Sequence, residues 1–234
     1  ALLNELADVR PDIRAVVVSA YGDMENIRNA MNSGAFDFVT KPIDFKDLEI
    51  TLDKTMEHVA LIRDAEAQEQ ELTAIRKELD VARRLQQSIL PRKFPEDSRF
   101  DLYAEMHPAR AVGGDFFDIF PLEGDRIGMV VGDVAGKGVP AALFMAIART
   151  TLKATALSGC AAGDCLTRVN DQISDHEPEN MLVTLAYLVY EPASGRLSYA
   201  NAGHDLPILR RADGHIENLE NPDGVIAGVK SGLD

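Results

Sequence analysis

Two aspartates stand where the backbone must turn tightly. Asp115 follows a glycine pair in Val112-Gly-Gly-Asp-Phe-Phe-Asp118, and Asp133 ends an apolar run in Val130-Val-Gly-Asp-Val-Ala-Gly-Lys-Gly138. Glycines at such places allow tight turns and close approach of the backbone to a ligand. Two strand-end carboxylates beside them suit a hard divalent cation such as Mg2+ or Mn2+. The same residues also read as two glycine turns with capping aspartates, and the spacing alone does not separate these readings. A nucleotide loop is excluded by pattern: the segment 132–138 closes neither a P-loop nor a GxGxxG turn. His204, in Asn201-Ala-Gly-His204, reads as a turn-stabilising residue beside the site. Arg110, five residues before Asp115, reads equally as a phosphate ligand and as a surface arginine.

The elements around these residues alternate in a way that defines an α+β region. Strands are expected at Leu102–Met106, Asp115–Phe120 and Arg126–Val131, the last two joined by a hairpin-like turn at Leu122-Glu-Gly-Asp125. Pro140 opens an apolar helix through Leu157, and a second helix covers Cys165–Ser174. Strands follow at Met181–Tyr190, Arg196–Asn201, Pro207–Arg211 and Ile216–Leu219, with a tight turn at Asp213-Gly214. Asp223-Gly224 reads as a turn.

Upstream, the chain reads as α/β. A helix over 1–9 ends at Pro11. Ala15–Ala20 is a short Val-rich run expected to be a strand buried on both faces. Asp23–Ser33 is helical with Met24, Ile27, Ala30 and Met31 as its stripe, and Gly34 is its C-cap. Phe36–Thr40 is a second strand, and Asp44 caps the next helix. That helix runs unbroken from Asp47 to Leu90. Its apolar register is Leu61, Ala65, Gln68, Leu72, Ile75, Leu79, Ala82, Gln86, Ile89, with steps of 4 and 3 in alternation. Such a heptad seam predicts a dimeric coiled coil; a single amphipathic helix lying on its own domain is the alternative. Pro91 and Pro95 mark the boundary after it. The expected organisation is therefore 1–46, a helical linker over 47–92, and 93–234.

Composition narrows the function classes. The chain has 234 residues, 46% hydrophobic, with 24 Lys and Arg against 38 Asp and Glu, a formal net charge of −14. The hydrophobic content supports a packed core. No segment is net basic, so nucleic acid and anionic membrane are poor partners. The longest apolar run, Ala141–Ala148, is far shorter than the roughly 20 residues that span a bilayer. No signal-peptide pattern opens the chain. The two cysteines, Cys160 and Cys165, form no stapled framework and fit a reducing, cytoplasmic setting as buried or half-buried thiols. The first residue is Ala, which fits a piece of a longer protein.

Residues 93–234 resemble the metal-dependent (PPM/PP2C-like) protein phosphatases of the bacterial stress-response and sporulation branch. The resemblance rests on Pro108-Ala-Arg-Ala-Val-Gly-Gly-Asp-Phe-Phe-Asp118, Gly132-Asp-Val-Ala-Gly-Lys-Gly138 and Tyr199-Ala-Asn-Ala-Gly-His204. The helix end Ala82-Arg-Arg-Leu-Gln-Gln-Ser-Ile-Leu-Pro91 adds to it. It implies an αββα sandwich with two Mn2+ or Mg2+ ions between the sheets, held by Asp115, Asp133 and the carbonyl of Val134. Further metal carboxylates are expected in C-terminal motifs beyond Asp234, so the site in this segment is expected to be incomplete and the segment itself inactive. Such ions activate a water for in-line attack on phosphoserine or phosphothreonine without a nucleophilic side chain.

Residues 1–46 resemble the C-terminal half of a response-regulator receiver domain. Ser19 and Lys41 match the residues that contact a phosphoryl group on an aspartate, and Phe38 matches the rotating aromatic. The phosphoacceptor aspartate would lie outside this chain. The resemblances together imply a two-component response regulator, served by a sensor histidine kinase. Its output would be a serine/threonine phosphatase acting on an anti-sigma antagonist or similar regulatory protein. The alternative is a non-catalytic phosphatase-like adaptor that binds a sigma factor or another partner.

Overall fold

A computed structural model of the protein describes residues 2–10, 12–20, 24–108, 111–175, 181–220 and 224–232. The chain divides into two compact units, Ala1–Arg76 and Lys77–Asp234, and the division falls inside one long helix.

The first unit begins with α1 (Leu2–Val9), β1 (Val16–Ala20), α2 (Met24–Asn32) and β2 (Asp37–Lys41). β1 and β2 pair in parallel, with Ser19 opposite Thr40 and Ala20 opposite Lys41. α2 is the crossover that parallel strands require. It ends where Gly34, at φ +96, lets the chain reverse. The N–H of Ala35 donates to Ala30 O and that of Gly34 to Met31 O, which satisfies the last carbonyls in a Schellman arrangement. Ile27, Ala35 and Val39 form the buried apolar set. The expectation that β1 is buried on both faces is corrected, since Val18 is 45% exposed. β1 has a ladder partner on one side only among the described residues.

α3 (Phe45–Ile89) begins two residues earlier than expected. Asp44 caps it, its carboxylate accepting the N–H of Lys46 at 2.8 Å. Every residue from Arg63 to Glu78 is exposed. Among the described residues nothing covers the apolar seam along this stretch: Leu72 is 54% and, just before it, Leu61 63% exposed.

The second unit is built on a four-stranded antiparallel sheet in the order β3 (Phe116–Leu122), β4 (Arg126–Val134), β5 (Val183–Glu191), β6 (Arg196–Ala202). α4 (Val139–Ala156) and α5 (Ala162–Ser174) cover one face. Phe116 and Phe120 point into that face, and their cross-strand partners are Gly132 and Gly128. A Cβ at either glycine would lie within 2.7 Å of the facing ring. The two glycines thus make room for two phenylalanines on the same hairpin. Ala141, Met145, Ala148 and Leu152 of α4 and Cys165 and Val169 of α5 are fully buried against this layer.

Asp118, on the same face, is 0% exposed and meets Arg149 of α4 at 2.6 Å and Lys153 at 3.3 Å. Asn170 of α5 holds the segment that follows the sheet: its amide donates to Lys230 O at 2.8 Å and its carbonyl accepts Gly228 N–H at 3.0 Å. A small hairpin, β7 (Ile208–Arg210) and β8 (Ile216–Asn218), completes the described elements.

One expectation changes here. Leu102–Met106 alternates in burial but is not a strand, because no neighbouring chain forms a ladder with it among the described residues. Of the αββα sandwich, expected to be C-terminally incomplete in this chain, the described residues of the second unit form one helical layer, one four-stranded sheet and the β7–β8 pair. No helix among the described residues is long and apolar enough to cross a membrane.

Candidate active site

The register of the first hairpin places the two aspartates. Phe116 pairs with Gly132, so Asp115, one residue before the strand, falls opposite Asp133. Both side chains leave the sheet on the face away from α4 and α5. Next across the sheet, Asp133 pairs with Thr184 of β5. Three adjacent strands therefore bring Asp115, Asp133 and Thr184 into one row.

Like charges directly opposite each other are unfavourable in a sheet, and the carboxyl of Asp133 records the conflict. Partial burial in the cleft, then the hydrogen bond and the charge of Asp115, push it up to about 6. A site that holds two carboxylates in contact at such a cost is suited to a cation that relieves the repulsion. The backbone is shaped for the same purpose. A Cβ at Gly114 would lie 2.7 Å from Val134 O and 2.8 Å from Val134 Cβ. Only glycine lets the loop before Asp115 lie on β4 there. The cleft, of about 440 Å³, is lined by Met106, Val112, Gly114, Asp115, Asp133 and Val134 among others.

The donors offered are hard oxygens, which fit Mg2+ or Mn2+. Asp115, Asp133 and the Val134 carbonyl are the residues that would hold such an ion. Among the described residues no group of three His, Cys, Asp or Glu side chains assembles around one point.

Two supporting residues emerge from the structure. Gln86, near the end of α3, is 5% exposed. Its amide donates to Gly113 O at 2.6 Å and its carbonyl accepts Gly113 N–H at 3.2 Å. It clasps the loop two residues before Asp115. The expectation that Gln86 belongs to a dimer seam is corrected, because it faces its own domain, as does the buried Leu90. The signal was present as a polar residue on an apolar register, but it does not say what the side chain meets.

The second is Asn201. It accepts His204 N–H at 2.7 Å and donates to His204 O at 2.9 Å, closing the turn in which Gly203 takes φ +70. The turn sets the imidazole against Thr184, with Nδ1 and Oγ1 at 2.7 Å. Burial lowers the His204 pKa, against the raising effect of Asp205 and Asp115, so the ring favours its neutral form. The expected turn-stabilising role thus falls to Asn201, while the His204 ring borders the carboxylate pair.

Arg110 and Asp223 lie outside the described residues. Ser19 and Lys41 stand near the same, C-terminal, end of the β1–β2 pair, and Phe38 is half-buried on β2. Cys160 is half-buried and Cys165 buried, both as free thiols.

Residues 123–234 match the family model of Stage II sporulation protein E (SpoIIE). The chain is also 27% identical over 161 residues to phosphoserine phosphatase RsbU of Bacillus subtilis, covering 68% of this chain and 48% of RsbU. A shorter match, 38% identical over 66 residues, is to transcriptional regulatory protein ZraR of Escherichia coli strain K12, covering 28% of this chain and 15% of ZraR. In fold, it resembles the SiaA-PP2C domain of Pseudomonas aeruginosa, with a TM-score of 0.55 at 21% identity over 69% of this chain and 65% of that one. The chain spans less than half the length of the curated relatives it matches. Residues 123–234 are thus similar to the SpoIIE family model, the chain to a phosphoserine phosphatase, and its fold to a PP2C domain.

Proposed function

We propose that the protein to which this chain belongs is a metal-dependent serine/threonine phosphatase with Asp115 and Asp133 at its centre. The observation that carries the reading is the carboxylate pair across β3 and β4, with Asp133 raised to about 6 by the cleft and by Asp115. Asp115, Asp133 and the Val134 carbonyl are the residues of this chain that would hold Mn2+ or Mg2+, with two ions expected per domain once the further carboxylates of the full-length protein are added. The chemistry such ions would supply is an activated water and neutralisation of charge developing on the phosphoryl group. The chain's own residues do the positioning. Gln86 fixes the Gly113 backbone, Gly114 lets that loop rest on β4, and Thr184 with His204 borders the pair on its other side. The full-length protein with Mn2+ releases phosphate from a phosphoserine peptide, and a chelator stops the release. Binding of the peptide without turnover would instead support the adaptor reading.

Residues 1–46 act as part of a receiver domain and 47–92 as a linker to the phosphatase domain over 93–234. Ser19 and Lys41 at one end of a parallel pair, together with the ZraR similarity, support this. A sensor histidine kinase would supply the signal. The RsbU similarity supports a regulatory phosphoprotein, such as an anti-sigma antagonist, as substrate. The exposed seam around Leu61, Leu72 and Ile75 supports a homodimer through α3. Charge at the seam, in Leu72→Glu with Leu79→Glu, shifts sedimentation from dimer to monomer. A wild type that is monomeric at micromolar concentration contradicts the seam.

A further inference from the structure

We propose that Lys137 is a specificity-determining residue that anchors the phosphoryl group of the substrate in front of Asp115 and Asp133; the proposal rests on the phosphatase reading above. Lys137 lines the same cleft as both aspartates. Among the described residues lining that cleft, these three are the charged ones, so Lys137 is the one cation there. A phosphomonoester is anionic, and a wall carrying two carboxylates in a chain of net charge −14 repels it. Ions held by the two carboxylates would offset that repulsion at the reacting centre, and a cation on the cleft wall adds an attraction of the protein's own.

Lys137 is available for that task. It makes no hydrogen bond or ion pair with any described residue. Neighbouring cations in sequence are committed elsewhere: Arg126 donates to Glu123 O, and Arg149 and Lys153 both bind the buried Asp118. The backbone around it is set by glycines. Gly136 at φ +125 and Gly138 at φ +78 take conformations that other residues rarely adopt. Little crowds either glycine: the nearest atoms a Cβ would meet at Gly136 lie 3.8 Å away, and at Gly138 none lies within 4 Å. Positive φ there follows from the turn that carries Lys137 along the cleft wall, not from tight packing. The remaining wall, with Met106, Pro108 and Val112, is apolar and offers the ammonium no competing acceptor side chain. A compact ammonium on a flexible stem suits a phosphate as a point charge.

The test uses the full-length protein loaded with Mn2+ and two readouts. One is kcat and KM on a phosphoserine peptide; the other is calorimetric affinity for inorganic phosphate, which needs no turnover. Lys137→Ala raises KM and weakens phosphate binding, each by about tenfold, the loss of one charge-assisted hydrogen bond. The same variant lowers kcat by less than about threefold, because the lost contact serves ground state and transition state alike. Lys137→Arg restores most of both losses. Unchanged KM and phosphate affinity in folded Lys137→Ala overturn the anchor while the phosphatase reading stands. Phosphate binding that depends on Lys137 in a wild type without turnover supports the anchor and overturns the phosphatase reading.

Discussion

Asp133→Asn in the full-length protein is expected to bring phosphate release down to the level of the metal-free enzyme, a loss of more than about 100-fold. The substitution keeps size and hydrogen bonding but removes the charge that a hard cation needs. It also ends the repulsion with Asp115, so the variant should fold at least as well as the wild type. That second effect has a sign that can be worked out. In the metal-free protein the Asp133 carboxyl is raised from its ordinary 3.8 to about 6, first by partial burial and then by Asp115. The folded state therefore holds this proton more tightly than the unfolded chain does. The resulting stability is full below about pH 3.8 and is lost as pH rises through about 6. Denaturation midpoints of the metal-free wild type should fall across this window, and those of Asp133→Asn should fall less. Protons also compete with the cation, so the Mn2+ needed for half-maximal turnover should rise below pH 6. A variant that turns over at the wild-type rate with Mn2+ present would remove Asp133 from the mechanism.

The largest stability effect is expected at Asp118→Ala. Asp118 is 0% exposed and joins the sheet to α4 through Arg149 and Lys153. Its other oxygen accepts the N–H of Ile119 at 2.9 Å. Arg149 is itself mostly buried, its side chain 12% exposed, and its Nε has no hydrogen-bond partner. Deleting the carboxylate leaves that guanidinium buried and uncompensated, which costs about 3–5 kcal/mol. Domains of this kind have only about 5–15 kcal/mol in total, so the variant should unfold at markedly lower urea. Replacing both partners, as Asp118→Leu with Arg149→Met, should recover much of the loss, since a matched apolar pair removes the stranded charge. A loss below about 1 kcal/mol in the single variant would mean that solvent screens the pair.

Much of this arrangement can be read from local sequence chemistry. The turn Leu122-Glu-Gly-Asp125 fixes its hairpin, pairing Leu122 with Arg126, and counting back from it reaches Asp115 opposite Asp133. Gly34 and Asp44 stop and start helices by the capping rules, and both do so in the structure. What the sequence hides is long-range. Leu102–Met106 alternates as a strand would, yet alternation says nothing about whether a partner lies alongside. The heptad steps of α3 continue through Gln86, but that residue turns to the Gly113 loop, 27 positions on. Periodicity describes one helix face; it does not say which part of the face meets another chain and which meets its own domain. Asp118 sits in a legible motif, but its role depends on Arg149 and Lys153, supplied by a helix 31 and 35 residues later. Thr184 joins the site only through the β4–β5 register.

The central claim is that Asp115 and Asp133 together hold the divalent ion used in hydrolysis. Mn2+ binding to the full-length protein, followed by electron paramagnetic resonance in parallel with wild type and Asp115→Asn/Asp133→Asn, tests it most directly. The account predicts saturable binding by the wild type and loss of that binding in the double variant, with the fold retained by circular dichroism. Equal Mn2+ binding by the two proteins would contradict it.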